Sequence, residues 1–191
     1  MKTETKERIV EAATQLFETK GYHATSILEI CEKAEVSKGG LFYYFKSKED
    51  ILVLIHEKFM NHIYENGKEA CRLHTDPIMR LKKLIIDLVE CVGEYKSYVS
   101  VFYQEKRFLS QEKFRAVRRK RDEYELIFEN ALSDGIMSGA LRGDIDQSLM
   151  TKAIFGTCDW VYQWYNKNGP LSSREIGEKF WPIIFDGIKN K

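Results

Sequence analysis

Residues 37–48 read SKGGLFYYFKSK, and their side chains suit contact with a polyanion. Ser37 stands where a hydroxyl can cap a helix and satisfy an orphaned N–H of its first turn. Lys38 adds a cation beside that terminus. Gly39 and Gly40 keep side chains out of the same turn, so the backbone can approach a phosphate or a base edge closely. Leu41 and Phe45, four apart, would turn back into a core, while Tyr43 and Tyr44 leave phenolic hydroxyls on the outer sides. Lys38, Lys46 and Lys48 lie here with no acid between Val36 and Lys48. A helix with this tip fits a major groove. Lys38 and Tyr43 are expected at base edges, and Thr25, Tyr44 and Lys48 on phosphates, with Ser26, Ser37, Gly39 and Gly40 framing the contact.

Three elements must position those residues. Ser26 and Glu29 have the S-x-x-E spacing of a capping box, opening a short helix with Ile27, Ile30 and Ala34 on one side. A tight connection through Glu35 and Val36 leads to the second short helix, Lys38 to Phe45, so the pair reads as a helix-turn-helix. A preceding helix, about Thr3 to Lys20, carries Ile9, Ala12, Ala13, Leu16 and Phe17 at helical spacing and stops at Gly21.

Thr25, Ile27, Ile30, Ala34, Val36-Ser37, Gly39, Leu41, Tyr44-Phe45, Lys48 and Ile51-Leu52, with Gly21-Tyr22 upstream, resemble the N-terminal signature of the TetR family of bacterial transcriptional regulators. The resemblance implies a DNA-reading head on a helical body in which a small molecule changes the separation of two heads. Two departures stand out. Glu35 replaces a usual glycine, so a non-glycine residue is expected in a left-handed conformation. Gly40 and Tyr43 replace commoner Thr or Ser and His, so the DNA sequence read does not carry over.

Composition sets the frame. The 191 residues are 43% hydrophobic and 31% charged, with a net charge of +1, which suits a soluble globular protein and lends no global support to nucleic-acid binding. Affinity for DNA must therefore rest on a few phosphate contacts per subunit, doubled by dimerisation. No apolar run is long enough to span a membrane, and the charged N-terminus lacks a signal-peptide core, so a cytoplasmic protein is expected. Cys31, Cys71, Cys91 and Cys158 are scattered singly, as in a reducing compartment. His56-Glu57 begins an H-E-x-x-H motif, but Met60 ends it. No nucleophile elbow, P-loop or dinucleotide fingerprint occurs. No enzymatic chemistry, cofactor or metal is expected.

The pattern predicts an all-α fold of about nine helices, with a helix-turn-helix domain at 1–47 and a ligand-binding and dimerisation domain at 48–191. Ser47 and Asp50 cap a long helix ending near Arg72. Asp76-Pro77 opens another. Further helices are expected from Tyr98 to Phe108, Ser110 to Ser138 and Asp146 to about Asn166. The Ser172-x-x-Glu175 capping box opens the last, with Pro182 inside it.

Two stretches of the body could hold a ligand. Lys113, Arg115, Arg118, Arg119, Lys120 and Arg121 crowd one helix, where a solvated face is the ordinary reading of such a run. Arg121, however, sits in an apolar stripe with Phe114, Val117, Tyr124, Phe128 and Ala131, so it must meet a ligand anion or an internal acid such as Asp159 or Glu105. Trp160 and Trp164, with Phe155, Gly156 and Ala153, pack either in a core or dimer contact or around a slot for an acyl chain or flat ring. The runs from Gly135 to Asp146 and from Trp160 to Ile176, with Tyr124 and Phe128, resemble TetR-like regulators of fatty-acid or sterol catabolism. That resemblance implies an acyl-CoA effector, an apolar tunnel, and Arg118 and Arg121 on CoA phosphates. A same-fold sensor of an aromatic or cationic drug, using Asp159, is the second reading, and a helical adaptor is a distant third. Leu149, Ala153, Gly156, Ile176, Phe180, Ile183, Ile184 and Ile188 offer surface for a homodimer that would read a two-fold operator in double-stranded DNA.

Overall fold

Caps and stop signals set most of the element boundaries in the structure, a computed structural model that describes residues 2–190. Met1 and Lys191, the outer ends of the two expected domains, lie outside the described residues. The helices are α1 (Lys2–Lys20), α2 (Ile27–Lys33), α3 (Lys38–Tyr44), α4 (Lys48–Leu73), α5 (Pro77–Glu94), α6 (Lys96–Glu105), α7 (Gln111–Met137), α8 (Gln147–Asp159), α9 (Val161–Trp164) and α10 (Ser173–Ile188), with a 3₁₀ turn at Lys106–Phe108. The four-residue α9 is a single turn, leaving nine longer helices. Among the described residues the fold is all-α, apart from one isolated bridge between Leu141 and Lys189. The helix expected to reach about Asn166 breaks at Trp160 instead. Cys158 and Val161, on either side of the break, are both fully buried.

The chain forms two compact units. The first comprises Met1–Phe59 and Ser97–Arg118, the second Met60–Lys96 and Arg119–Lys191. The first unit's core joins Ile9, Ala13 and Phe17 of α1 to Ile30, Leu41, Phe45, Ile51, Leu52 and Ile55, with Val101 from α6. Each large side chain so buried contributes roughly 1.5–3 kcal/mol. The helix-turn-helix angle is set where α2 ends. Val36 N–H donates to Cys31 O at 3.0 Å and Glu35 N–H to Glu32 O at 3.2 Å. This closure needs a left-handed residue, and Glu35 supplies it at φ 53°.

In the second unit α10 packs chiefly on α5. A Cβ at Gly177 would stand 3.0 Å from Ile86 Cα, so glycine permits backbone-level approach. Asp76 caps α5, with its carboxylate accepting from Ile78 and Met79 N–H, and Ser172 and Glu175 form the reciprocal capping box of α10. Among the described residues, no helix is long and apolar enough to cross a membrane.

Candidate functional site

The tip of α3 is built as a contact surface. Ser37 Oγ accepts from Gly40 N–H at 3.0 Å, which leaves the earlier N–H groups of this turn facing outward. Lys38 and Gly39 are exposed, and a Cβ at Gly39 would meet nothing within 4 Å. A Cβ at Gly40 would crowd Ser37 Oγ at 3.2 Å and disturb the cap. Tyr43 is 68% exposed, with its ring edge-on to Tyr44 at 5.0 Å, while Leu41 and Phe45 are buried. α3 therefore turns Ser37, Lys38, Gly39 and Tyr43 to solvent on a base fixed by apolar anchors.

Three residues expected on phosphates sit differently. Thr25 is buried, and its hydroxyl donates to Gly21 O at 2.9 Å, so its side chain braces the turn between α1 and α2. Lys48 points inward: its ammonium donates to Tyr22 O at 2.6 Å and Thr25 O at 2.7 Å and lies 4.4 Å from the Tyr22 ring centroid. Burial lowers the Lys48 pKa despite the nearby Glu105. Tyr44 is half-buried against the core. Ser26 sits in the capping box as expected, accepting from Glu29 N–H at 3.2 Å.

Spacing alone did not reveal a second layer of polar contacts under this surface. Glu105 at the end of α6 is 7% exposed, and it accepts from Tyr22 N–H at 3.1 Å. Expected as a possible partner of Arg121, it instead holds the turn after α1. Its signal in the sequence is an acid on the stripe Tyr98, Val101, Phe102, Glu105, which is otherwise apolar or aromatic. Burial, then Glu49, Asp50 and Glu105, push the Tyr22 hydroxyl up to about 12. Lys113 of α7 bonds Asp50 and pairs with Glu49, and Glu49 also accepts from Ser110 N–H. Burial opposes ionisation of Asp50, but its bonds from Lys113 and Ser47 hold its pKa below the ordinary value. The N-terminus of α4, beside the recognition helix, is thus held by the turn leading into α7.

In the second unit the residues expected on a ligand separate into an inner and an outer group. Tyr124, Phe128 and Phe155 form an inner aromatic cluster with centroids 4.9–5.6 Å apart. Arg121 bonds Asp159 at 2.7 Å and Glu125 at 3.0 Å, with its guanidinium 5.2 Å from the Phe155 ring centroid. Asp159 is one of the internal acids expected as its partner. This pairing also commits Asp159, the acid that a cationic drug would need. Arg118 is exposed on α7. Trp160 and Trp164 are 60% and 49% exposed, so neither joins Phe155 in an inner slot. Trp164 instead nears Phe180 at 6.5 Å.

The residues expected at a dimer contact also divide. Ile176, Ile184 and Ile188 are buried within the unit, because they lie on the side of α10 facing its core. Leu149, Ala153 and Gly156 of α8 and Ile183 of α10 are exposed, with Phe180 half-buried. Leu149, Ala153, Ile183 and Gly187, together with the largely buried Ile184 and Ile188, are among the residues lining a groove of about 530 Å³ between α8 and α10. Helical spacing had merged the inner and outer faces of α10.

A helix-turn-helix with a basic, glycine-tipped second helix, joined to a second helical unit, defines a DNA-binding regulator. Residues 9–55 match the family of bacterial regulatory proteins named tetR, and residues 74–188 match the tetracyclin repressor-like C-terminal domain. The chain belongs to the TetR family. It is 26% identical over 185 residues to the HTH-type transcriptional repressor KstR2 of Mycolicibacterium smegmatis, covering 96% of this chain and 90% of that one. It is 25% identical over 185 residues to the fatty acid metabolism regulator protein of Bacillus subtilis, covering 96% and 95%. The structure of the ketosteroid transcriptional regulator KstR2 of Mycobacterium tuberculosis superposes with a TM-score of 0.86 at 25% identity, covering 97% and 95%.

Proposed function

We propose that the protein is a cytoplasmic, homodimeric repressor that leaves a palindromic operator when an acyl-CoA thioester binds its helical body. The observation that carries this reading is near-full-length similarity to a transcriptional repressor and to a fatty acid metabolism regulator. The functional division is 1–47 for DNA and 48–191 for ligand and dimer. Lys38 and Tyr43 read the groove, while Ser37, Gly39 and Gly40 bring the backbone to the phosphates. Lys48 and Thr25 act from behind by holding the turn before α2. In the body, Arg121 supplies a cation for a CoA phosphate by exchanging its carboxylate partner, and the cluster of Tyr124, Phe128 and Phe155 receives the apolar part. Leu149, Ala153, Gly156 and Ile183 carry the dimer contact. Titration of palmitoyl-CoA into the protein–operator complex tests the reading. Release with a measurable heat of binding supports it; neither at ligand on the order of tens of micromolar overturns it.

A further inference from the structure

At the centre of the second unit lies a polar group that the protein does not satisfy. Tyr124 is 1% exposed, and its hydroxyl has no hydrogen-bond partner among the described residues. Its ring is closely held. Phe128 and Phe155 edge it at 5.4 and 5.6 Å, and a Cβ at Gly67 of α4 would stand 2.9 Å from the ring. Two carboxylates act on the phenol electrostatically, yet both have other partners: Asp87 is paired with Lys83 and Asp159 with Arg121. Burial above all, then Cys91, Asp87, Cys158 and Asp159, raise its pKa, so the phenol keeps its proton and acts as a donor. A buried donor without an acceptor is costly to the fold, and a position that keeps one is a place to look for a ligand atom. The surroundings select that atom. An anionic oxygen would be desolvated beside two acids, whereas a neutral carbonyl oxygen accepts without bringing charge.

We propose that the Tyr124 hydroxyl is the polar anchor of the effector site, donating a hydrogen bond to the neutral acyl carbonyl of a thioester while Phe128 and Phe155 flank the attached chain. This rests on the acyl-CoA reading above and adds the atom recognised, which distinguishes a thioester from the corresponding free acid. Isothermal calorimetry on the full chain, wild type and Tyr124→Phe, tests it with palmitoyl-CoA, its S-hexadecyl-CoA thioether (which lacks the carbonyl) and palmitate. The expected result is about a tenfold loss of palmitoyl-CoA affinity in Tyr124→Phe, no change for the thioether, and weaker binding of palmitate than of the thioester by the wild type. Equal affinities of both proteins for palmitoyl-CoA, or equal losses for thioester and thioether, overturn the anchor while leaving the acyl-CoA reading intact. Palmitate binding as tightly as the thioester also overturns it. A wild type that binds none of the three overturns both.

Discussion

The two units differ in what their most prominent buried polar groups do. In the first, polar side chains form an inner clamp: Glu105 on Tyr22 N–H, Lys48 on two carbonyls, and Lys113 on Asp50. Its outer edge offers Lys38, Gly39 and Tyr43. In the second, two buried hydroxyls, of Tyr124 and Thr151, have no hydrogen-bond partner among the described residues, while Leu149, Trp160 and Ile183 are exposed. A surface for a hydrated polyanion needs a fixed base and an exposed cation, and the clamped unit has both, with Lys38 on its outer edge. On the proposed function, the exposed apolar surface of the second unit would meet a second subunit and its unmatched Tyr124 hydroxyl an effector.

The largest effect should come from the exposed apolar face. Ile183→Asp places a charge where 73% of the residue is exposed in one protomer. Dimer affinity should fall by about a hundredfold or more, since an unpaired carboxylate would be buried in the contact. Sedimentation equilibrium measures it directly, and an unaltered dimer would move the contact off this face.

At the polar edge, Lys38→Ala should weaken operator binding about ten- to a hundredfold and reduce the salt slope by about one per subunit. Lys48→Ala makes the contrast sharper. Its ammonium is bonded to the backbone, so its loss should lower the melting temperature and leave the salt slope nearly unchanged. A slope change in Lys48→Ala equal to that in Lys38→Ala would return Lys48 to the phosphates.

The clamp itself sets the next scale. Glu105→Ala leaves the N–H of Tyr22 without its acceptor, at a cost of about 1–3 kcal/mol in urea unfolding. A loss below about 0.5 kcal/mol would show that the N–H finds another acceptor.

Acid should loosen the same unit. Glu49 and Asp50 are held below their ordinary values of 4.5 and 3.8: burial pushes both up, but the bonds from Ser110 and Lys113 to Glu49, and from Lys113 and Ser47 to Asp50, outweigh it. Because the folded pKa is depressed, the stabilisation is complete above those ordinary values and is lost as pH falls through the folded ones. The urea midpoint should drop over that acid range. Lys113→Met, which removes the cation, should flatten the drop, and an equally steep drop in Lys113→Met would place the acid sensitivity elsewhere.

Local chemistry in the sequence was legible and long-range pairing was not. The Ser26–Glu29 and Ser172–Glu175 boxes, the Asp76-Pro77 start and left-handed Glu35 depend on neighbours within a few residues, so spacing was enough to read them. Lys48 looked like a phosphate ligand because its backbone acceptors, Tyr22 and Thr25, lie more than twenty residues away. The contact between Glu105 and Tyr22 spans 83 residues. On α10, a helical stripe shows which residues are apolar but not which of two faces each occupies. Ile184 and Ile183 are adjacent, and one is inside while the other is out.

The smallest expected effect tests the contrast most directly. Substitutions that remove a buried hydroxyl usually destabilise, because they break a hydrogen bond along with it. Tyr124 has no such bond among the described residues, and Phe keeps the ring against Gly67, Phe128 and Phe155. Without ligand, Tyr124→Phe should therefore leave stability unchanged or raise it by about 0.5–1 kcal/mol, since a desolvated donor is lost and no partner is stranded. Thermal unfolding of the ligand-stripped protein gives the sign. A melting temperature several degrees lower would mean that the hydroxyl supports the fold and finds a partner within it.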